Sequence, residues 1–218
     1  FNFCNMAKII SDPIESYRGR IGKISYYIRE SENMARKSSS NAKVSDAPAA
    51  VAQRKKFKRL TELTQGLAPV IQLGFPQRKR GLSPANAFMS LNKGICTVEE
   101  DNTVTVDYEQ LLCAQGSLME PEITATYSAS TSRITFENTS MEDFGYCNAD
   151  DKTYAMVLNT RYAGCRVIPL RERGENSSTS VTFPVTWEKG DLKVYIFATS
   201  ANGKQASPSV CITLAEEA

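Results

Sequence analysis

The sequence predicts a mostly β protein with a small helical segment, an α+β fold class, and three observations lead to this prediction. Residues 1–45 combine a glycine-punctuated stretch with strand-like alternation. Residues 46–94 carry helix-capping residues and no strand period. After residue 94, short strand-like segments recur about every ten residues, the spacing of an antiparallel sandwich. We therefore predict an N-terminal β-ribbon, two or three helices, and a C-terminal immunoglobulin-like antiparallel sandwich.

The first ten residues are predicted to form an extended strand. Phe1 and Phe3 are two positions apart, so they would share one face of that strand, which ends in Ile9 and Ile10. A strand near a chain terminus can pair with the sheet of a neighbouring subunit. These four apolar residues are therefore candidates for an assembly interface through strand addition.

The ribbon that follows is expected to contain a tight turn and a hairpin. Gly19 and Gly22 bound the turn, because glycine adopts the backbone angles that such turns need. Residues 24–29 alternate in the strand period, and residues 34–38 are placed to pair back onto them. The segment around the two glycines lacks the GxxxxGK[ST] spacing of a phosphate-binding loop, so we predict no nucleotide site there.

A basic helix is predicted after residue 45. Asp46 is a good N-cap and Pro48 suits the first turn, so this helix is expected to run to about residue 64. Phe57, Leu60 and Leu67 recur at the spacing of one buried face.

Gly66 and Pro69 are expected to end this helix. The apolar residues between 67 and 75 then form a link that must be buried. Ser83 followed by Pro84 predicts the start of a short helix, because serine caps a helix N-terminus and proline fits its first turn.

Two clusters of cations lie in this central segment. They are Arg54, Lys55, Lys56, Lys58 and Arg59 on the first helix, and Arg78, Lys79 and Arg80 in the turn before the short helix. A run of like charges on a helix is typical of a solvated face, and that interpretation stays open. The alternative is a contact surface for an acidic protein or for a polyanion such as nucleic acid, with phosphate contacts dominant. Both clusters are therefore candidate interface residues.

The segments after residue 94 that read as strands are short and separated by turn residues. They cover residues 103–108, 111–114, 122–128, 133–137, 153–158, 165–170, 180–185, 192–199 and 209–214. The Cys…Trp…Cys spacing of a true immunoglobulin domain is absent, so only an immunoglobulin-like sandwich is predicted. A sandwich by itself predicts no chemistry.

Several motifs along the chain occur together, in this order, in one known family. They are MAKII at 6–10, GRIGKI at 19–24 with YY at 26–27, RKS at 36–38, QRKKF at 53–57, LGF at 73–75, NAFMSLN at 86–92, VYIFA at 194–198, GKQ at 203–205 and SV at 209–210. The chain resembles an uncharacterised family that is abundant in Bacteroidota and known only as a domain of unknown function. The resemblance covers nearly the whole chain and implies a fold layout but no activity. The five residues before Met6 depart from the family pattern.

The charge of the chain is divided between its two parts. Residues 1–94 contain 17 Lys/Arg and 6 Asp/Glu, a net charge of +11, whereas residues 95–218 contain 9 Lys/Arg and 18 Asp/Glu, a net charge of −9. We predict a basic domain over 1–94 and an acidic domain over 95–218. Opposite charges on one subunit favour head-to-tail association, and a heterologous contact that does not close gives an open filament.

The residue types exclude the common forms of nucleophilic catalysis. The chain has no histidine, so a Ser–His–Asp or Cys–His arrangement cannot form. Two carboxylate pairs, at residues 142–143 and 150–151, lack the spacing of a calcium loop and are interpreted as solvated turn residues. We therefore predict no enzyme activity, no cofactor and no metal site.

The six cysteines do not decide the cellular compartment. They are Cys4, Cys96, Cys113, Cys147, Cys165 and Cys211, without a CxxC pair. Most lie in strand-like runs, where cysteine packs as a small apolar side chain. One to three disulfides stay open as the alternative.

These observations favour a non-enzymatic structural subunit that polymerises with copies of itself into an extracellular filament or surface polymer. The alternatives are a binding module for nucleic acid or another anionic polymer, and a phage virion component. No apolar run approaches the roughly 18 residues of a membrane helix. The opening residues lack the basic lead and apolar core of a secretory signal, so the expected location outside the cell rests on the assembly argument alone.

Overall fold

The computed structural model describes residues 6–8, 18–29, 31–37 and 44–216. It confirms the predicted fold class, because the protein is mostly β, with three helices in the described residues and several antiparallel sheets. The chain divides into two compact units, Phe1–Ala47 and Pro48–Ala218.

The first unit contains the predicted β-ribbon. Its strands are β1 (Met6–Lys8), β2 (Gly19–Ile21), β3 (Ile24–Arg29) and β4 (Glu32–Lys37). They form an antiparallel sheet in the order β1-β4-β3-β2, which places β1 and β2 at its edges. Gly22 has a φ of +57° in the turn between β2 and β3, a backbone angle that favours glycine.

The N-terminal strand pairs within its own chain. Met6 lies opposite Arg36 and Lys8 lies opposite Met34 in the ladder between β1 and β4. The strand predicted over residues 1–10 is thus three residues long where the structure describes it. The predicted interface residues that lie outside the described part are Phe1, Phe3, Ile9 and Ile10.

Three helices begin the second unit. They are α1 (Pro48–Gly66), α2 (Ala68–Gly74) and α3 (Pro84–Leu91). Ser83 caps α3 as predicted, because its Oγ accepts a hydrogen bond from the Asn86 amide at 3.2 Å. The first helix begins at Pro48, so Ala47 rather than the predicted Asp46 occupies its N-cap position.

The link between residues 67 and 75 is helical, contrary to the prediction of a broken segment. Pro69 lies in the first turn of α2, where its missing N–H leaves no helical hydrogen bond unmade. It therefore starts a helix rather than only ending the preceding one. Val70 and Ile71 are buried as predicted, whereas Leu73 is exposed on the outer side of α2.

Ten strands complete the second unit as far as residue 216, where its described part ends. They are β5 (Cys96–Val98), β6 (Val104–Val106), β7 (Ile123–Ser128), β8 (Arg133–Asn138), β9 (Lys152–Asn159), β10 (Gly164–Glu172), β11 (Ser177–Thr182), β12 (Leu192–Thr199), β13 (Val210–Ile212) and β14 (Ala215–Glu216). The first two form a separate hairpin, and the others form sheets in the orders β10-β9-β12-β13 and β11-β8-β7-β14. Counting from β7, the first, second and fifth strands share one sheet and the third, fourth, sixth and seventh share the other. The eighth strand, β14, joins the first sheet and is parallel to β7. The division of the first seven strands is that of an immunoglobulin-like sandwich.

The strand predicted over residues 111–114 is a buried loop instead. The amides of Cys113 and Ala114 donate to the Ser209 hydroxyl, at 2.9 and 3.3 Å. A side chain thus satisfies backbone groups that a sheet ladder would otherwise satisfy.

Alternate residues of β9 and β12 belong to two different hydrophobic cores. The side chains that pack with the helices are Met156, Leu158, Tyr195 and Phe197. Those that pack with the other sheet are Ala155, Val157, Val194 and Ile196. The second unit therefore has three layers. The helices form the first, which we call the helical layer, the sheet that contains β9 and β12 forms the middle one, and the sheet that contains β7 and β8 forms the third. The helices share a core with the sandwich, and the two compact units divide after Ala47. The division into a basic domain over 1–94 and an acidic domain over 95–218 stays a prediction.

Gly74 at the end of α2 marks a close approach between the helical layer and the loop before the sandwich. A Cβ at this position would meet the Cys113 carbonyl oxygen and lie 2.8 Å from Ala114 Cα. Both are backbone atoms, so Gly74→Ala is expected to destabilise the protein by about 1–3 kcal/mol in chemical denaturation. Gly94→Ala is the matched control, because nothing lies within 4 Å of its Cβ position. Equal stability of the two variants would contradict the close packing.

Candidate assembly surfaces

Some cations of the basic cluster on α1 bind other residues of the same chain, and others have no such partner. Lys55 Nζ donates to Asn102 Oδ1 at 2.9 Å, in the turn between β5 and β6. Arg59 Nη2 donates to the Tyr108 hydroxyl at 3.3 Å, and Arg59 Nη1 lies 3.3 Å from Glu62 Oε2. Lys55 and Arg59 therefore fix α1 to the neighbouring hairpin and loop.

The second basic cluster also contains one structural member. Arg78 Nε donates to the Leu82 carbonyl at 2.7 Å, and its Nη1 donates to the Phe75 carbonyl at 2.9 Å. The guanidinium therefore closes the turn between α2 and α3. Lys79 and Arg80 are exposed in the same turn.

Uncompensated positive charge remains on the helical layer. Within the described ranges, the cations of this layer without a hydrogen bond or ion pair are Lys56, Lys58, Lys79, Arg80 and Lys93. Arg54 is exposed and has an interaction partner. Residues 48–94 contain 9 Lys/Arg and 1 Asp/Glu, a net charge of +8. The layer therefore presents a positive field to solvent.

A groove runs between α1 and α3, and we call it the α1–α3 groove. Its volume is about 210 Å³, and its lining residues are Gln53, Lys56, Phe57, Leu60, Met89, Ser90 and Lys93. Phe57 is 60% exposed, so the prediction that it shares the buried face with Leu60 is wrong. The buried residues of α1 are Leu60, Leu63 and Thr64, and Phe57 is left exposed in the turn of the helix that precedes them. Of the predicted basic interface residues, only Lys56 lines the groove.

A tight turn at the sandwich carries two aromatic side chains into solvent, and we call residues 144–147 the aromatic turn. Phe144 and Cys147 pair through two backbone hydrogen bonds of 2.9 Å each, and Gly145 between them has a φ of +56°. Phe144 is 78% exposed and Tyr146 is 68% exposed. Neither was predicted as a site residue, although two aromatics flanking a glycine in a polar segment are a signal that points to such a turn.

Contacts on both sides hold the aromatic turn in place. The Met119 amide donates to the Tyr146 carbonyl at 3.0 Å. Asp143 Oδ1 accepts a hydrogen bond from the Ala149 amide at 2.6 Å, and Cys147 is buried. The turn is therefore a constrained element that keeps its aromatic rings in solvent.

A buried ion pair lies at the base of the same loop. Arg173 Nε is 3.6 Å from Asp151 Oδ2, and both side chains are completely buried. Asp151 also accepts from the Asn148 amide at 3.1 Å, and Arg173 Nη2 donates to the Met119 carbonyl at 2.6 Å. The interpretation of Asp151 as a solvated turn residue is wrong, because it is the counter-ion of Arg173. Arg173 therefore links Asp151, which follows the aromatic turn, to Met119, which precedes it.

The surroundings of the aromatic turn are acidic. Residues 139–150 contain three Asp or Glu residues, all exposed, and no Lys or Arg. Glu142 is exposed beside the turn, and Glu120 follows the anchoring Met119. The protein thus has one surface of apolar and basic character and another of aromatic and acidic character.

A model of the family of unknown function DUF6266 matches residues 18–213, which is most of the chain. The chain belongs to DUF6266. This confirms the resemblance to a family of unknown function that the sequence motifs indicate. No curated protein and no solved structure matches the chain.

The described cysteines of this DUF6266 chain are free thiols, three of them buried. They are Cys96, Cys113, Cys147, Cys165 and Cys211. Burial raises the pKa of the Cys113 thiol to about 12, and it also raises the pKa of the Cys165 thiol. These thiols stay protonated at neutral pH and pack as apolar side chains. None of the disulfides that the sequence left open joins two described cysteines.

The described part of this DUF6266 chain contains neither a metal-binding group nor a membrane-spanning helix. No group of three or more His, Cys, Asp or Glu side chains is arranged to hold a metal ion among the described residues. The helices in the described part are all too short or too polar to span a bilayer.

Proposed function

We propose that this protein is a non-enzymatic structural subunit that associates head to tail with copies of itself into an open filament or surface polymer. The observation that carries the proposal is the division of charge within one folded unit. The helical segment has a net charge of +8, whereas residues 95–218 have a net charge of −9. Unlike surfaces on one subunit steer a neighbouring copy into a heterologous contact, and such contacts propagate when they do not close into a ring.

Exposed apolar groups support the same proposal. Phe57 on the basic surface and Phe144 and Tyr146 on the acidic surface are all more than half exposed. Apolar groups rimmed by charged residues are typical of protein–protein contact sites. The two surfaces therefore have both the charge and the apolar character that a stable contact needs.

Strand addition is the second way in which copies could join under this proposal. Strand β1 lies at an edge of the ribbon in the part of the chain that the structure describes, and an edge strand can pair with a strand from another copy. The candidate residues for this contact remain Phe1, Phe3, Ile9 and Ile10. If strand addition joins the copies, deletion of residues 1–10 should abolish polymers while leaving a folded monomer, and polymers that form normally without this segment would contradict it.

The cellular setting also belongs to the proposal. A polymer of this kind is expected outside the cell or on its surface, in a member of the Bacteroidota, and a virion component is a variant of the same idea. Fractionation of the native source with an antibody against the protein tests this location. Recovery in the cytoplasmic fraction alone would contradict it.

A polyanion-binding module is the second candidate function, and the uncompensated cations favour it. Five cations of the helical layer lack a partner in the described ranges, so they are available to phosphate or sulfate groups. If all five bind phosphates of duplex DNA, the logarithm of the affinity should fall against the logarithm of salt concentration with a slope of about −4.5.

Light scattering at rising protein concentration tests the proposed self-association. We expect the weight-average mass to increase without a fixed limit, because an open head-to-tail contact has no closed final state. Added salt should slow growth, since charge steering is screened, but should leave preformed polymers with apolar contacts largely intact. A constant monomer mass at every concentration, together with steeply salt-dependent binding to DNA or heparin, would favour the second candidate instead.

A further inference from the structure

We propose that the aromatic turn of one copy docks into the α1–α3 groove of the next copy. This inference rests on the proposed self-association and names the residues that form its contact. Phe144 and Tyr146 are the inserting side chains, and Lys56, Phe57 and Lys93 surround the receiving groove.

The aromatic turn has the properties of an anchor. Phe144 and Tyr146 are held in solvent by a turn whose backbone is bonded to Met119 and closed by the Phe144–Cys147 pair. The backbone of the aromatic turn is therefore already ordered before association, and this lowers the conformational entropy lost on binding. Large aromatic side chains presented in this way are the residues that contribute most to protein–protein affinity.

The α1–α3 groove has the properties of the receiving site. Leu60 is buried and Met89 half-buried, and both are apolar lining residues. Phe57 stands at the groove with most of its ring exposed, so an incoming ring gains an aromatic neighbour. The volume of about 210 Å³ is on the scale of aromatic side chains rather than of a whole helix or strand.

Charge identifies a second copy as the occupant. Lys56 and Lys93 border the groove and have no ion-pair partner in the described part of the chain. Glu120 and Glu142 lie beside the aromatic turn, in a region without basic residues between 139 and 151. An acidic aromatic element thus matches a basic apolar groove, and both belong to every copy. The lining residues lie on α1, on α3 and, in the case of Lys93, just after α3, so the subunit does not fill the groove with its own aromatic turn.

The groove on the other side of α3 fits this role less well. It is lined by Arg78 and Lys79 among other residues and has a volume of about 280 Å³. Arg78 already donates to two backbone carbonyls, of Phe75 and Leu82, so its charge is partly satisfied inside the subunit. The α1–α3 groove instead offers two lysines that are free to meet carboxylates.

Analytical ultracentrifugation of the full chain with paired substitutions tests the contact. Replacing both Phe144 and Tyr146 with serine should weaken self-association by about tenfold or more, because both anchors are lost. Tyr162→Ser is the matched control, since Tyr162 is 57% exposed on a different loop. On the groove side, Lys56→Glu should weaken association, whereas Lys58→Glu changes the same charge on the same helix outside the groove.

Charge reversal gives a test that misfolding cannot imitate. A copy with Lys56→Glu and Lys93→Glu should not polymerise alone, and neither should a copy with Glu120→Lys and Glu142→Lys. An equimolar mixture of the two should polymerise again, because each reversed groove then meets a reversed turn and each unchanged groove meets an unchanged turn. Circular dichroism of each variant confirms that it is folded.

The outcomes separate the two proposals. If the wild type assembles and the serine variant assembles equally well, the docking contact is wrong while self-association stands. If the wild type stays monomeric at all concentrations, both proposals fail. Occupation of the groove by DNA or heparin, displaced by Lys56→Glu without any effect on assembly, would assign it to a polyanion instead.

Discussion

Replacing Asp151 with alanine is expected to lower the free energy of unfolding by about 3–5 kcal/mol, because it leaves the guanidinium of Arg173 buried without a counter-ion. Arg173 has little else to balance its charge. Its Nη2 donates to the Met119 carbonyl, whereas its Nε and Nη1 have no hydrogen-bond partner within the described structure. The substitution also removes the acceptor of the Asn148 amide. Urea denaturation followed by circular dichroism measures the loss.

Asp150→Ala is the matched control for Asp151→Ala. Asp150 carries the same charge one position earlier but is exposed, so its removal should change the free energy of unfolding by about 0.5 kcal/mol or less. The double variant Asp151→Asn with Arg173→Met should be less destabilised than Asp151→Ala, because it removes both charges together. Similar stabilities for Asp150→Ala and Asp151→Ala would show that the ion pair does not support this loop.

Phe88→Ala is expected to cost about 3–5 kcal/mol of stability, because it opens a cavity between the helices and the sandwich. Phe88 on α3 is completely buried, and its ring meets that of Phe75 edge to face, with centroids 6.2 Å apart and an interplanar angle of 89°. Truncation removes this aromatic contact together with the packing of α3 on the core.

Leu91→Ala provides the comparison on the same helix. Leu91 is exposed near the end of α3, so its truncation should lower stability by less than about 1 kcal/mol. Thermal unfolding by calorimetry compares the two variants directly. A loss for Leu91→Ala as large as that for Phe88→Ala would mean that α3 does not pack through Phe88.

The sequence predicted those helices and strands that are determined by residues close together in the chain. Ser83 and Pro84 start α3 because a capping hydroxyl and the amide it accepts from are only three residues apart. The alternation of residues 24–29 and the continuous apolar run of β12 likewise follow from strand geometry. These features need no knowledge of distant partners.

The features that the sequence did not reveal depend on distant partners. Asp151 looks like a turn residue until the fold brings Arg173, 22 positions later, against it. Phe57 looks like a core residue, but Leu60 and Leu63 of α1 belong to the core and the Phe57 ring is left outside it. The burial of Val70 and Ile71 turned a segment with breaking residues into a helix. Tertiary packing decided each of these cases over local preference.

The sequence predicted the clusters of charged residues in the candidate site, but not which of their side chains, or which aromatic rings, face solvent. Lys56 belongs to a run of cations that was visible in the sequence, yet Lys55 and Arg59 in the same run turned out to bind their own subunit. Phe144 and Tyr146 were not selected, because an exposed aromatic ring cannot be told from a buried one until the loop around it is placed. The proposed function therefore rests mainly on the opposite net charges of the two parts of the chain.

Negative-stain electron microscopy of the wild-type protein at low salt tests head-to-tail assembly most directly. We expect open filaments of uniform width, which lengthen with protein concentration and are lost in the variant with Lys56→Glu and Lys93→Glu. Single particles of monomer size at every concentration, or closed rings of fixed size, would contradict an open head-to-tail polymer.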